Sequence, residues 1–148
     1  MSNWRQTLRG MVFPWHCDQF GHMNVRWYAH FFDDAGFHIW PMIGVKQALF
    51  DQSGLHTVIA QTTTDFVLEI TAGTPIVIES GFTRIGTKSL SHAQRMYHAD
   101  TGQIHARQAT AEVFFDPKSR KSVSIPEPIK ALVADHLVDL ADPPSFAV

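Results

Sequence analysis

At 148 residues the chain is sized for one domain, and a hydrophobic content of 45% is enough for a single core. A net charge of −2 and a pI of about 6.5 provide no broad basic field of the kind that recruits nucleic acid or an anionic membrane. The opening run MSNWRQTLRG lacks the apolar core of a signal peptide, no eighteen consecutive residues are apolar, and a single cysteine cannot close an internal disulfide. A cytoplasmic protein with no nucleic-acid or membrane partner is the expectation.

In chain order, residues 9 to 17 read as a strand that enters the loop WHCDQFGHMN, residues 15 to 24, where Gly21 allows a tight turn. The apolar period then changes. Tyr28, Phe31, Phe32, Ala35 and Ile39 fall on one face of a helix spanning 25 to 40, which Pro41 stops or kinks. From Thr57 a strand pattern runs through Val58, Ala60, Thr62, Thr64, Phe66, Leu68 and Ile70 until TAGTP ends it. Three further strands follow, 75 to 85, 89 to 98 and 103 to 115, separated by GTK and ADTG. A weaker helical pattern covers 126 to 140. No repeat or linker divides the chain, so residues 1 to 148 read as one α+β domain, an antiparallel sheet with a helix on one face.

The loop and the helix start carry a resemblance. DQFGHMNVRWY, Asp18 to Tyr28, resembles the Asp-x-x-Gly-His-(Val/Met)-Asn-Asn-x-x-Tyr signature of hotdog-fold acyl-CoA thioesterases of the 4-hydroxybenzoyl-CoA thioesterase type. RIGTKS and RKSVSIP resemble the family's Ile-Gly-x-x-Ser turn and its Arg…Ile-Pro stretch, so the similarity spans roughly residues 10 to 135. The resemblance implies a curved antiparallel sheet wrapped around a long central helix. It also implies an acyl-CoA substrate, no cofactor, and a homodimer or homotetramer with active sites at the subunit interface. By position, Asp18 matches the catalytic carboxylate, and Val25 matches the residue whose backbone N–H polarises the thioester carbonyl. Gly21, His22, Asn24 and Tyr28 fall in the same motif, and Gln61, Thr63 and Ser89 lie where the family's strands border the pocket. One departure is Val25 itself, where the signature has a second Asn: the backbone donor stays and a side-chain amide is lost.

The chemistry suits these residue types. A helix N-terminus offers unpaired N–H groups and a positive dipole end to a carbonyl oxygen gaining charge. An aspartate is ionised at neutral pH and can attack the carbonyl or deprotonate a water, two routes the sequence does not separate. Two rival readings share the fold: a hydratase or dehydratase, and a non-catalytic acyl-binding module.

Other constellations are weaker. In an extended segment His16 and Cys17 point to opposite faces, which disfavours a Cys–His nucleophile. His30, Asp34 and His38 form a row away from the apolar stripe with no closing ligand, so no metal is expected. GFTRIGTK, residues 81 to 88, lacks the Lys-Ser/Thr ending and the strand-to-helix context of a phosphate loop, and there is no Gly-x-Ser-x-Gly elbow. The tryptophans at 4, 15, 27 and 40 read as core and interface residues in preference to a cage for a cationic acyl group.

Overall fold

The computed structural model describes residues 2–146. Helix α1 runs Val25–Met42, starting where the Asn24 side chain accepts a hydrogen bond from the Arg26 N–H at 3.3 Å. The apolar stripe expected from the sequence is its buried face: Tyr28, Phe31, Phe32, Ala35 and Ile39 are all buried, together with Trp40. Each large side chain removed from water this way contributes about 1.5–3 kcal/mol. Phe32, 1% exposed at the centre of the stripe, would cost about 3–5 kcal/mol on truncation to alanine.

The broad surface that covers this stripe is a sheet of six strands, β1 (Arg5–Met11), β2 (His56–Phe66), β3 (Pro75–Ile85), β4 (Ser89–His98), β5 (Ile104–Asp116) and β6 (Lys121–Ser122). The order is β1-β3-β4-β5-β2, with β6 added to β5, and every pair is antiparallel. Register shifts interrupt four of the pairings, at Gln6/Leu8, Ile59/Gln61, Phe82/Arg84 and Met96/Tyr97. Such bulges bend and twist strands, and they curl this sheet around the helix. The curved antiparallel sheet on a long central helix is the hotdog arrangement that the resemblance implies.

Two short helices close the far end, α2 (Gln47–Ser53) and α3 (Glu127–Ala134). Ile129 and Val133 of α3 join Ile39, Trp40, Phe82 and Phe114 in one apolar cluster, while the first half of α1 packs in another with Val12, Ile76, Ile78, Met96 and Ala106. The outer sheet face is covered by the chain ends. Arg95 stacks 3.7 Å over Trp4, pairs with Glu79 at 2.9 Å and donates to the Asp142 carbonyl, while Glu79 also accepts from the Ser145 N–H. Strands β3 and β4 are therefore buried on both faces. Among the described residues strand β2 has only β5 beside it, is exposed along almost its whole length, and shows Val58, Ile59 and Phe66 to solvent.

Several boundaries depart from the sequence pattern. The first strand is not 9 to 17: it ends at Met11, because Pro14 opens a short 3-10 turn that His16 stabilises by accepting the Phe13 N–H on Nδ1 at 2.9 Å. The strand from Thr57 stops at Phe66 and does not reach Ile70, since the Val67 and Leu68 N–H groups both turn to the one His105 carbonyl. Helix α1 continues two residues past Trp40, with Pro41 in its last turn. The final helical pattern shrinks from 126–140 to Glu127–Ala134, and α2 had no counterpart in the sequence reading. Among the described residues no helix is long and apolar enough to cross a membrane.

Candidate active site

The loop between the 3-10 turn and α1 is folded back on itself. Cys17 bridges Met23 in antiparallel fashion, the Asp18 N–H donates to the His22 carbonyl, and the Gly21 N–H donates to the Asp18 carbonyl. Closing so tightly puts Gly21 at φ +81°, the left-handed region where a side chain is strained. The His16 carbonyl accepts the Asn24 N–H, and the His16 ring packs edge-on to Trp27 and Phe31 of α1 at 4.7 and 5.1 Å. These contacts fix the loop to the helix. Burial, and secondarily His30, lower the His16 pKa, so this ring is a neutral spacer.

Asp18 is half-buried at the head of the loop. Its Oδ2 accepts from Asn24 Nδ2 at 3.1 Å and its Oδ1 accepts from the Phe20 N–H at 3.0 Å. The Asn24 hydrogen bond first, then that of Phe20, and the nearby His22 hold the Asp18 pKa below the ordinary carboxylate value. Asn24 is thus shared: its amide nitrogen tethers Asp18 and its amide oxygen caps α1. The first N–H of that helix, on Val25, donates to no group among the described residues. A bound ionised carboxylate and a free helix-terminal donor stand at one end of one helix.

The other positions divide. His22 is exposed beside Asp18, and Tyr28 is buried, packed edge-on to Phe66 at 5.0 Å, its hydroxyl pKa pushed up to about 12 chiefly by burial. Val25 and Tyr28 line a cleft of about 350 Å³ with Met23 and residues 66 to 69. Gln61 and Thr63 lie on the face of β2 opposite Thr62, and Ser89 accepts a hydrogen bond from Arg84 at 2.8 Å at the far end of β4. Among the described residues none of these three lines that cleft or the longer groove on the adjoining face of α1. His30 and Asp34 make an exposed pair at 3.4 Å, and Cys17 packs against the apolar cluster with its sulfur 3.8 Å from the Phe13 carbonyl.

A second set of residues escaped the sequence reading. On an adjoining face of α1 a groove of about 1320 Å³ follows the helix from Arg26 and Ala29 to Trp40 and Pro41. Its wall of sheet is polar: His92 and Gln94 of β4, and Gln108, Thr110 and Glu112 of β5. His92 Nε2 meets Glu112 Oε1 at 2.8 Å, and Gln94 Nε2 donates to the Phe32 carbonyl and to Ser80 Oγ at 2.8 and 3.0 Å. His92 Nδ1 and Gln94 Oε1 are buried and unpaired among the described residues. Leaving an acceptor in that state costs about 1–3 kcal/mol. The available signal was polarity at alternate positions on two neighbouring strands, 92 and 94 against 108, 110 and 112.

The fold recurs in solved structures of low sequence identity. A 1,4-dihydroxy-2-naphthoyl-CoA thioesterase from Synechocystis superposes with a TM-score of 0.76 at 16% identity, covering 93% of this chain and 98% of that one. A probable thioesterase from Escherichia coli gives 0.78 at 16% identity over 90% and 99%. A Staphylococcus aureus protein in complex with CoA gives 0.83 at 14% identity over 100% and 98%. No curated protein matches the sequence. The profile of the thioesterase-like superfamily, in contrast, matches residues 12–133, and the chain belongs to that superfamily.

Proposed function

We propose that this protein hydrolyses an acyl-CoA thioester to the free carboxylate and CoA, with Asp18 as the catalytic carboxylate and the Val25 N–H as the oxyanion donor. The observation that carries the reading is the sharing of Asn24, which ties the Asp18 carboxylate to the helix end where the Val25 N–H is free. With the thioester oxygen on Val25 N–H, charge developing on that oxygen meets a fixed donor and the positive end of an eighteen-residue helix. An Asp18 oxygen attacks the carbonyl carbon and the CoA thiolate leaves. Water then cleaves the resulting anhydride, restoring Asp18 and releasing the carboxylate. A lowered pKa keeps Asp18 ionised at neutral pH, the form that attacks the carbonyl. Gly21, His22 and Asn24 shape the loop, and Tyr28 walls the cleft beside Val25. The Synechocystis and Staphylococcus aureus structures, one a CoA thioesterase and one holding CoA, support CoA as the thiol.

A homodimer or a tetramer built from dimers belongs to the same proposal. Strand β2 leaves one row of backbone groups without a neighbouring strand and exposes Val58, Ile59 and Phe66, and Gln61 and Thr63 on its outer face would meet a second copy there. Release of thiol from a panel of acyl-CoAs, followed with a thiol reagent, tests the reaction. Steady CoA release from at least one acyl-CoA is expected. Binding of acyl-CoAs with no thiol freed would favour the hydratase or the acyl-binding module.

A further inference from the structure

The polar wall of the long groove has no part in the chemistry at Asp18, yet it lies in the middle of the core. Residues that face α1 alternate along the strands, and the registers Ser80↔Gln94, Gln94↔Gln108 and Thr64↔Gln108 place a continuous polar rung across β3, β4, β5 and β2. His92 and Thr110 form the neighbouring rung with Thr62. His92, Gln94 and Glu112 are 4%, 1% and 5% exposed. Above them stands Gly36 of α1, where an added Cβ would come within 3.8 Å of His92 Cε1 and 3.9 Å of Gln94 Nε2.

The chemistry of the unpaired atoms is defined by what their partners already take. Gln94 Nε2 donates to a helix carbonyl, which fixes the amide orientation and makes the free atom, Oε1, an acceptor. The Glu112 carboxylate holds His92 Nε2, and in the neutral imidazole that places the proton on Nε2 and leaves Nδ1 as a lone pair. Gln94 Oε1 is therefore a buried acceptor in either ring state of His92, what satisfies it must donate, and a hydroxyl, which both donates and accepts, also suits the neighbouring His92 Nδ1. Gly36 is eleven residues beyond Val25 along a continuous helix, about 16 Å at 1.5 Å per residue. A single aromatic ring held at the first turn stops well short of it. An extended chain of about a dozen carbons, advancing roughly 1.25 Å per bond along its zigzag, spans about 14 Å, and a terminal hydroxyl with one hydrogen-bond length covers the rest.

Resting on the hydrolase reading above, we propose that the groove is the acyl site for an extended aliphatic chain carrying a hydroxyl at its distal end, donated to the His92 and Gln94 acceptors. Arg26 and Ala29 at the near end of the groove share the first turns of α1 with Val25, and the length from there to Gly36 sets where the hydroxyl is recognised.

Three CoA esters test this: dodecanoyl, 3-hydroxydodecanoyl and 12-hydroxydodecanoyl. Hydrolysis is measured with the parent protein and equilibrium binding with the Asp18→Asn variant. The 12-hydroxy ester should exceed dodecanoyl-CoA by about tenfold in kcat/KM and in affinity, the scale of one or two hydrogen bonds to otherwise unpaired acceptors. The 3-hydroxy ester should gain nothing, and His92→Gln should bring the 12-hydroxy preference down toward one. Equal values for all three esters, or equal gains for both hydroxyl positions, would overturn the subsite and leave its acceptors to water or to a side chain of a second copy. Preferential binding of the 12-hydroxy ester with no thiol released from any ester would uphold the subsite and sink the hydrolase reading instead.

Discussion

Asp18 and Asn24 are joined by a 3.1 Å hydrogen bond from an amide nitrogen to a carboxylate oxygen, and the same amide caps the central helix through its oxygen. Replacing Asn24 by alanine removes both bonds at once. Loss of an N-cap costs about 1 kcal/mol of stability, visible as a lower midpoint in urea unfolding.

The same substitution carries a pH signature. Asn24 is the largest cause of the lowered Asp18 pKa. With a folded pKa below the unfolded one, Asp18 stabilises the fold above the unfolded value near 3.9, and that contribution is lost as pH falls through the folded pKa. Activity that needs the carboxylate follows the folded pKa. The acid limb of kcat/KM against pH should therefore lie below the ordinary carboxylate range in the parent and move upward in Asn24→Ala. An unmoved limb would separate Asp18 ionisation from turnover.

Two glycines should respond differently to alanine. Gly21 has φ +81° and no atom within 4 Å of an added Cβ, so Gly21→Ala is strained without being crowded and should destabilise by about 1–2 kcal/mol. Gly36 is helical and its Cβ would make only ordinary contacts, so Gly36→Ala should be neutral or stabilising by up to about 1 kcal/mol while narrowing the groove. Thermal unfolding of the pair distinguishes a backbone requirement from a space requirement.

These contrasts also mark what could be read without coordinates. The stripe from Tyr28 to Ile39 names the buried face of α1 because a period of 3.6 residues allows only one such face, and Pro75–Ile85 and Ser89–His98 are bounded by turn chemistry that leaves little latitude. Asp18, Asn24 and Val25 are local in sequence, and so their juxtaposition was visible in the motif. The His92–Glu112 pair was not, since a period of two separates the faces of a strand without saying which is covered. On β4 both are, one by α1 and the other by Trp4 and the C-terminal segment through Arg95. Helix α2 is too short to show a period, and its Leu49 and Phe50 find their partners only in the assembled core.

Cys17 should prove dispensable. Its sulfur touches the Phe13 carbonyl and His16 Nδ1 is already engaged by the Phe13 N–H, so that nitrogen does not serve the thiol as a base. Cys17→Ala should keep turnover within a few-fold of the parent. A loss on the order of a thousandfold would make the thiol the nucleophile.

Assembly is tested by light scattering at micromolar concentration, where a dimer or tetramer is expected from the uncovered β2 edge and its apolar side chains. A monomer would contradict the subunit-interface placement of Gln61 and Thr63.

Turnover by Asp18→Asn measures the central claim most directly. Asparagine keeps the shape of the side chain and much of its hydrogen bonding but has neither the nucleophilic nor the basic oxygen. With the fold verified by circular dichroism and acyl-CoA binding retained, thiol release should fall by roughly a hundredfold or more. Turnover close to that of the parent would contradict the assignment of Asp18 and leave the superfamily and the fold standing without this mechanism.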